Sequence, residues 1–333
     1  MIERATRLIE TAIQGNQIPG AALGVIGTDG HSETFFAGQA QREPVATGLE
    51  PKMFFDLASL TKVIFTVTEV LRLAQEGLAD LDDPLGRFLP EMAWMQGSEL
   101  PKRTLRQLLT HTSGLPAWAP LYTWSPEATL LKHQLLQHPW PLNPAGQTVY
   151  SDIGYILLGL VLERLRGKEL ADFALPKGLT FKPKPEQSVA TERCPWRGRV
   201  LRGEVHDENC FALGQASGHA GLFGTLEGVL GFAKGLLDSS VLSPAAIAEL
   251  RRPQTAERGL GWILAGTGFS GGSLCSRATV GHTGFTGTGL WIDFEHGYAW
   301  ALLTNRVHPS RHAETGIFDL RKAVGNAIAA TWQ

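Results

Sequence analysis

Ser59-Leu60-Thr61-Lys62 sets a hydroxyl and an amine three residues apart, a spacing that puts both on one face of a helix. A serine at a helix start also has free backbone N–H groups and the positive dipole end beside it. A partly desolvated lysine is expected to lose its proton more easily, and once neutral it can take the serine proton. The bland alternative is a capping serine followed by a surface lysine. Ten lysines and fifteen serines in 333 residues give about 0.45 such pairs by chance, so the motif needs company.

Two further groups supply it. Tyr150-Ser151-Asp152 follows the turn Asn143-Pro144-Ala145-Gly146; a tyrosine beside a cation can shuttle protons, though an anchoring aromatic and an Asp helix cap would look the same. His282-Thr283-Gly284 follows an apolar stretch. A glycine at a strand edge lets a substrate approach the backbone, and the next N–H, that of Phe285, can point at it. Alone, this is a turn after a strand with a structural histidine.

In this order and at these separations the three groups resemble the serine β-lactamase and penicillin-binding protein superfamily, its class C-like branch of β-lactamases, DD-peptidases and related esterases, with S-x-x-K, Y-x-N and K-T-G or H-T-G motifs. Residues 105–116, 144–152, 218–223 and 303–309 are similar to that branch too, and the resemblance runs from about residue 5 to 330. It implies Ser59 as nucleophile, Lys62 as neighbouring base and Tyr150 as proton shuttle. It implies an oxyanion hole of the Ser59 and Phe285 N–H groups, with Asp152, His282, Thr283 and Gly284 lining the substrate site. No metal or organic cofactor is implied. The substrate would be a small molecule or a peptidoglycan-derived fragment, either an ester, an amide ending in a D-amino acid, or a β-lactam.

The chain departs from the pattern twice. Asp152 stands where β-lactamases carry Asn, and His282 where they carry Lys. An amide donor is lost, and the site is expected to hold one positive charge fewer at neutral pH. Both changes fit esterase or peptidase branches better than penicillin hydrolysis. A slow module that binds or senses peptidoglycan fragments is the competing function, although such a module would not need Ser59, Lys62 and Tyr150 together. Arg306 is read as a surface arginine in preference to a carboxylate anchor.

Other motifs fail on context. Gly268-Phe269-Ser270-Gly271-Gly272 matches a nucleophile elbow, with Asp293 and His308 following in hydrolase order. An elbow must lead into a helix, and Ser270 leads into Gly-Gly-Ser. Gly266, Gly268 and Gly271 form a G-x-G-x-x-G that lacks the same helix. His308 and His312 are four apart, but Pro309 disfavours the helix a metal pair would need. His206, Asp207 and His219 are expected to border the pocket as hydrogen-bonding groups.

The elements that must position these residues are legible from periodicity. Residues 1–10 read as an amphipathic helix; 21–27 and 32–37 as strands joined at Asp29-Gly30. Apolar residues at helical spacing mark 59–77, 105–109, 153–167 and 226–237, with glycine stops at Gly77 and Gly167. Residues 260–265, 290–294 and 298–304 read as strands, 318–332 as a closing helix, and the proline- and charge-rich 176–203 as an irregular surface excursion. The expected class is α/β (α+β): an antiparallel sheet from residues 1–56 and 225–333 flanked by helices, a mainly helical insertion at 57–224, and the active site between them.

Composition removes whole classes of function. With 43% hydrophobic and 19% charged residues the chain can bury a large core. Thirty basic against 32 acidic residues leave a net charge of −2 and no basic stripe for nucleic acid. The longest apolar stretch, residues 153–162, is half a membrane span. Three scattered cysteines (Cys194, Cys210, Cys275) and no signal-like amino terminus lead to the expectation of a reduced, cytoplasmic protein. Nothing in the pattern sets an oligomeric state.

Overall fold

The computed structural model describes residues 2–94 and 97–332; Met1, which begins the predicted first helix, lies outside them with Met95, Gln96 and Gln333. A seven-stranded antiparallel sheet runs in the order Thr47–Gly48, Ser32–Gln41, Gly20–Gly27, Tyr298–Thr304, Gly289–Asp293, Thr279–Thr283, Ile263–Leu264. Its centre is where the two chain ends meet, Leu23 opposite Leu302 and Val25 opposite Trp300.

Side chains alternate across a strand, and both faces of this sheet are covered. Leu23, Trp300 and Leu302 pack with Ile9 of the first helix, Glu3–Gln14, and with Val324 and Ile328 of the last, Ile317–Ala329. Ala22, Ala301 and Leu303 face Leu226 and Leu230 of the helix Leu226–Leu237. Burial on two sides explains why Tyr298–Thr304 is buried at every position and apolar up to Leu303.

The helical part packs against the second of these faces. Helix Asp152–Arg166 is buried along most of its length and ends at Gly167 in a left-handed cap, φ +64°. The helix carrying Lys62 opens with a π-helical turn, Lys62–Thr66, before continuing as Val67–Gln75. A three-stranded sheet of Phe55–Asp56, Phe223–Gly224 and Leu179–Thr180 holds its start. Among the described residues no helix is long and apolar enough to cross a membrane.

Three expectations need correction. Residues 176–203 are not a surface excursion: Ala190–Cys194 and Arg199–Arg202 pair as a hairpin, and Ala190, Thr191, Glu192 and Cys194 are buried. Asn305 Nδ2 and His308 Nδ1 donate to the Ala190 and Thr191 carbonyls, so long-range bonds order a segment whose composition reads as loop. Only Ile263–Leu264 pairs within the strand expected at 260–265, and the strand expected at 32–37 extends to Gln41.

Candidate active site

Ser59 lies at a sharp entry into its helix. Ala58 before it has φ +47°, the left-handed region that an alanine adopts only when its surroundings hold it there. The hold is Asp56: one carboxylate oxygen accepts from the Ala58 N–H at 2.8 Å and the other from the His206 N–H at 2.7 Å. Asp56 is buried; that pushes its pKa up, against the pull of the two N–H groups.

Lys62 is fully buried one turn on, its Nζ donating to Ser59 Oγ and to the His219 carbonyl at 3.0 Å each. Asp152 Oδ1 stands 2.7 Å from the same nitrogen. The cap of this second helix is Ser151, which accepts from the Gly154 N–H. That leaves the Asp152 carboxylate free to face Lys62 rather than cap a helix. Burial works to neutralise Lys62, but the Asp152 charge, and Tyr150 after it, outweigh burial and push its pKa up to about 12. That direction favours the charged form over the neutral lysine base expected from burial alone, and Nζ lies 5.0 Å from the centre of the Tyr150 ring.

Tyr150 is enclosed by His111, with ring centres 4.5 Å apart, and by His282 at 6.1 Å. His111 Nδ1 accepts the Ser151 N–H, and His282 Nδ1 donates to the Thr283 carbonyl. Burial, then the charges of Arg258 and Lys62, hold both imidazoles well below the ordinary histidine pKa. Both stay neutral in the fold, while in the unfolded chain they take protons near pH 6.5. The unfolded state then binds more protons below that pH, so stability falls as pH falls, by about 1.4 kcal/mol per unit for each group. The urea midpoint is expected to drop between about pH 7.5 and 5.5, with a shallower drop in His282→Gln. Equal midpoints at both pH values would contradict neutral burial.

Arg258 supplies the charge that His282 does not. Its guanidinium lies 5.4 Å from the centre of the Tyr150 ring, donates to the Gly261 carbonyl, and has no carboxylate partner among the described residues. Arg258 thus places a cation beside Tyr150 from another part of the chain, next to the neutral-leaning His282.

The far wall is residues 282–288. Thr283 ends its strand half-buried, and Gly284 touches the nucleophile turn: a Cβ there would lie 2.5 Å from the Leu57 carbonyl oxygen and 2.2 Å from Thr288 Oγ1. Thr286 and Thr288 hydroxyls donate to the Asp56 and Leu57 carbonyls at 2.7 and 3.1 Å. Among the described residues, neither the Ser59 nor the Phe285 backbone N–H has a protein acceptor. The Phe285 side chain is exposed, with the Arg306 guanidinium over its ring and Arg306 Nε bonded to its carbonyl. Arg306 is thus a clasp on this wall and not a free surface group.

Behind Lys62, His219 bonds Ser217 and Asp207 through its two ring nitrogens. Burial alone would raise the Asp207 pKa, but the His219 charge and hydrogen bond hold it well below the carboxylate range. His206 donates to Glu192. The rejected motifs stay apart: Ser270 accepts from Trp291 Nε1, Asp293 from Ser276, and His308 bridges Thr191 and Arg42, while His312 is exposed. Gly268 and Gly271 lie in turns and Gly266 in the irregular stretch before them.

Sequence reasoning missed Asp56, Arg258 and Arg321. Arg321 carried the one usable signal, an arginine on the apolar stripe formed by Ile317, Val324 and Ile328.

A family model described as Beta-lactamase matches residues 5–323. The N-acetylmuramyl-L-alanine amidase of Bacillus subtilis (strain 168) is 30% identical over 92% of this chain and 81% of its own length. A protein of Escherichia coli (strain K12), provisionally named D-alanyl-D-alanine carboxypeptidase, is 32% identical over 76% of this chain and 69% of its own. A class C β-lactamase from Rhodobacter sphaeroides superposes with a TM-score of 0.73 at 21% identity, covering 98% of this chain and 99% of that one, a likeness of fold. The chain belongs to the beta-lactamase family and is a serine hydrolase with that fold.

Proposed function

We propose that the protein hydrolyses small esters or amides, including peptides ending in a D-amino acid, through an acyl-enzyme on Ser59. The observation that carries this reading is the contact of Ser59 Oγ, 3.0 Å from the buried Lys62 Nζ, with the Ser59 and Phe285 backbone N–H groups lacking a protein acceptor among the described residues. The cleft would lie between the helical region, residues 57–224, which supplies Ser59, Lys62, Tyr150 and Asp152, and the sheet region, residues 1–56 and 225–333, which supplies residues 282–288.

In the first step Ser59 Oγ attacks the carbonyl carbon while its proton passes to the Tyr150 hydroxyl oxygen, which gives up its own proton toward the leaving group. The Ser59 and Phe285 N–H groups hold the negative charge that develops on the carbonyl oxygen. The bond to the leaving group breaks, and the leaving group receives that proton from Tyr150. Water then attacks the Ser59 ester, gives a proton to Tyr150, and the acid departs as Ser59 Oγ regains it. Lys62, bonded to Ser59 Oγ and close to the Tyr150 ring, would steady the charge that develops during these proton transfers. His282, Thr283 and Gly284 would line the substrate, with Arg258 and Asp152 giving the site charges of both signs.

The amidase and carboxypeptidase names of the relatives support amide substrates, and Asp152, an acceptor without an N–H donor, supports a weak fit to penicillins. Turnover of p-nitrophenyl acetate, a D-Ala-D-Ala peptide and benzylpenicillin would test the reading. The expected result is turnover of the ester or the peptide at least about tenfold faster than that of penicillin, a difference of about 1.4 kcal/mol in barrier. Penicillin as the best of the three would overturn it.

A further inference from the structure

One peptide unit links the carbonyl of Gly284 to the N–H of Phe285, and delocalisation across it couples the two ends. Electron density drawn to the oxygen leaves the nitrogen, so a donor on the carbonyl makes the N–H a stronger donor in turn. A charged donor does this most.

That carbonyl is held by Arg321. Its Nη2 donates to the Gly284 oxygen at 2.9 Å and to the Thr288 oxygen at 2.7 Å. The residue projects from the helix Ile317–Ala329 and is 3% exposed. Among the described residues it has no carboxylate partner. Burial, and then the nearby Arg306 charge, oppose its ionisation; a guanidinium nonetheless stays charged in proteins. An uncompensated buried cation is costly. Here its charge goes to backbone carbonyls of the wall beside Ser59, while Arg306 fixes the next carbonyl, that of Phe285.

We propose that Arg321 is a positioning residue of the oxyanion hole, gripping the Gly284 carbonyl so that the same peptide's Phe285 N–H is oriented and polarised toward the developing negative charge. This rests on the reading of Ser59 as nucleophile and the Phe285 N–H as oxyanion donor. A brace that only held the loop would support folding and leave the acyl carbonyl unaffected.

The experiment is isotope-edited infrared spectroscopy of an acyl-enzyme formed with a 13C-carbonyl cinnamoyl p-nitrophenyl ester. Intact-mass analysis first establishes the adduct on Ser59, so a failure of the general mechanism appears at that step and separately. Arg321→Gln is expected to move the acyl carbonyl band to higher frequency and slow deacylation by about tenfold, less than the loss of a whole donor, with KM within about twofold. Arg321→Lys, which keeps the charge, should recover part of the rate. An unshifted band in an acylated, folded Arg321→Gln overturns the proposal. Should that variant not fold, wild-type protein labelled with 13C-carbonyl glycine and 15N-phenylalanine carries the test. Three Gly–Phe pairs, at 231–232, 268–269 and 284–285, give three signals, and the 284–285 signal is assigned by its loss in Phe285→Leu. Its carbonyl is expected furthest downfield; an ordinary shift overturns the proposal.

Discussion

Lys62→Met should lower kcat by roughly 10³-fold while changing KM little, because the ammonium acts on charge that appears only during proton transfer. Its Nζ joins Ser59 Oγ, Asp152 and the His219 carbonyl in one cluster, and a thioether replaces none of these contacts. The substitution also strands Asp152. Breaking a fully buried pair costs about 3–5 kcal/mol, and since Asp152 remains 20% exposed a loss nearer 2 kcal/mol is expected from the same principle. The pH dependence follows from the direction of the shift. A lysine whose pKa rises to about 12 on folding contributes stability that is complete below its unfolded pKa, near 10.5, and is lost as pH climbs through 12. The stability gap between wild type and Lys62→Met should therefore be flat across neutral pH. A gap that grew steadily between about pH 6 and 9 would mean that Lys62 titrates there and is the neutral base after all.

Gly284→Ala is expected to cost about 10²–10³-fold in kcat, comparable with removing one oxyanion donor. The added methyl would meet backbone at Leu57 and a hydroxyl at Thr288, which is itself bonded to the Leu57 carbonyl. Neither neighbour is a flexible chain end, so the wall must shift away from the Ser59 turn. A displacement of about 1 Å at such a site is enough for a loss of this order. Gly284 is not in the left-handed region, so the penalty is contact rather than backbone strain. The loss should fall on acylation and deacylation alike, measured by stopped-flow with a p-nitrophenyl ester, with the fold retained by circular dichroism. Wild-type rates would show that the wall does not supply a donor.

The sheet and its two covering helices were readable because period-two and period-3.6 patterns survive wherever one face is buried. The three motif groups were readable as well, since serine and lysine three apart must share a helical face. What escaped was long-range. The turn at Ala58 depends on a carboxylate, Asp56, that also holds His206, 150 residues away. No local pattern marks Arg258 as the cation over Tyr150, because its neighbours place it and its own segment does not. The surroundings of Lys62 were legible only in part for a similar reason: burial alone was weighed, and the Asp152 carboxylate at 2.7 Å pulls its pKa the other way. The hairpin at 190–202 was hidden by a proline- and charge-rich composition, because the groups that bond its Ala190 and Thr191 carbonyls lie beyond residue 300.

The central claim is that chemistry begins at Ser59 Oγ, and a serine-directed fluorophosphonate tests it most directly. Labelled wild type and Ser59→Ala would be compared by intact mass, followed by peptide mapping. The account predicts one adduct per wild-type chain, on the peptide containing Ser59, and none on Ser59→Ala. An adduct that persists in Ser59→Ala and disappears in Ser270→Ala would contradict it and move the nucleophile to the glycine-rich turn.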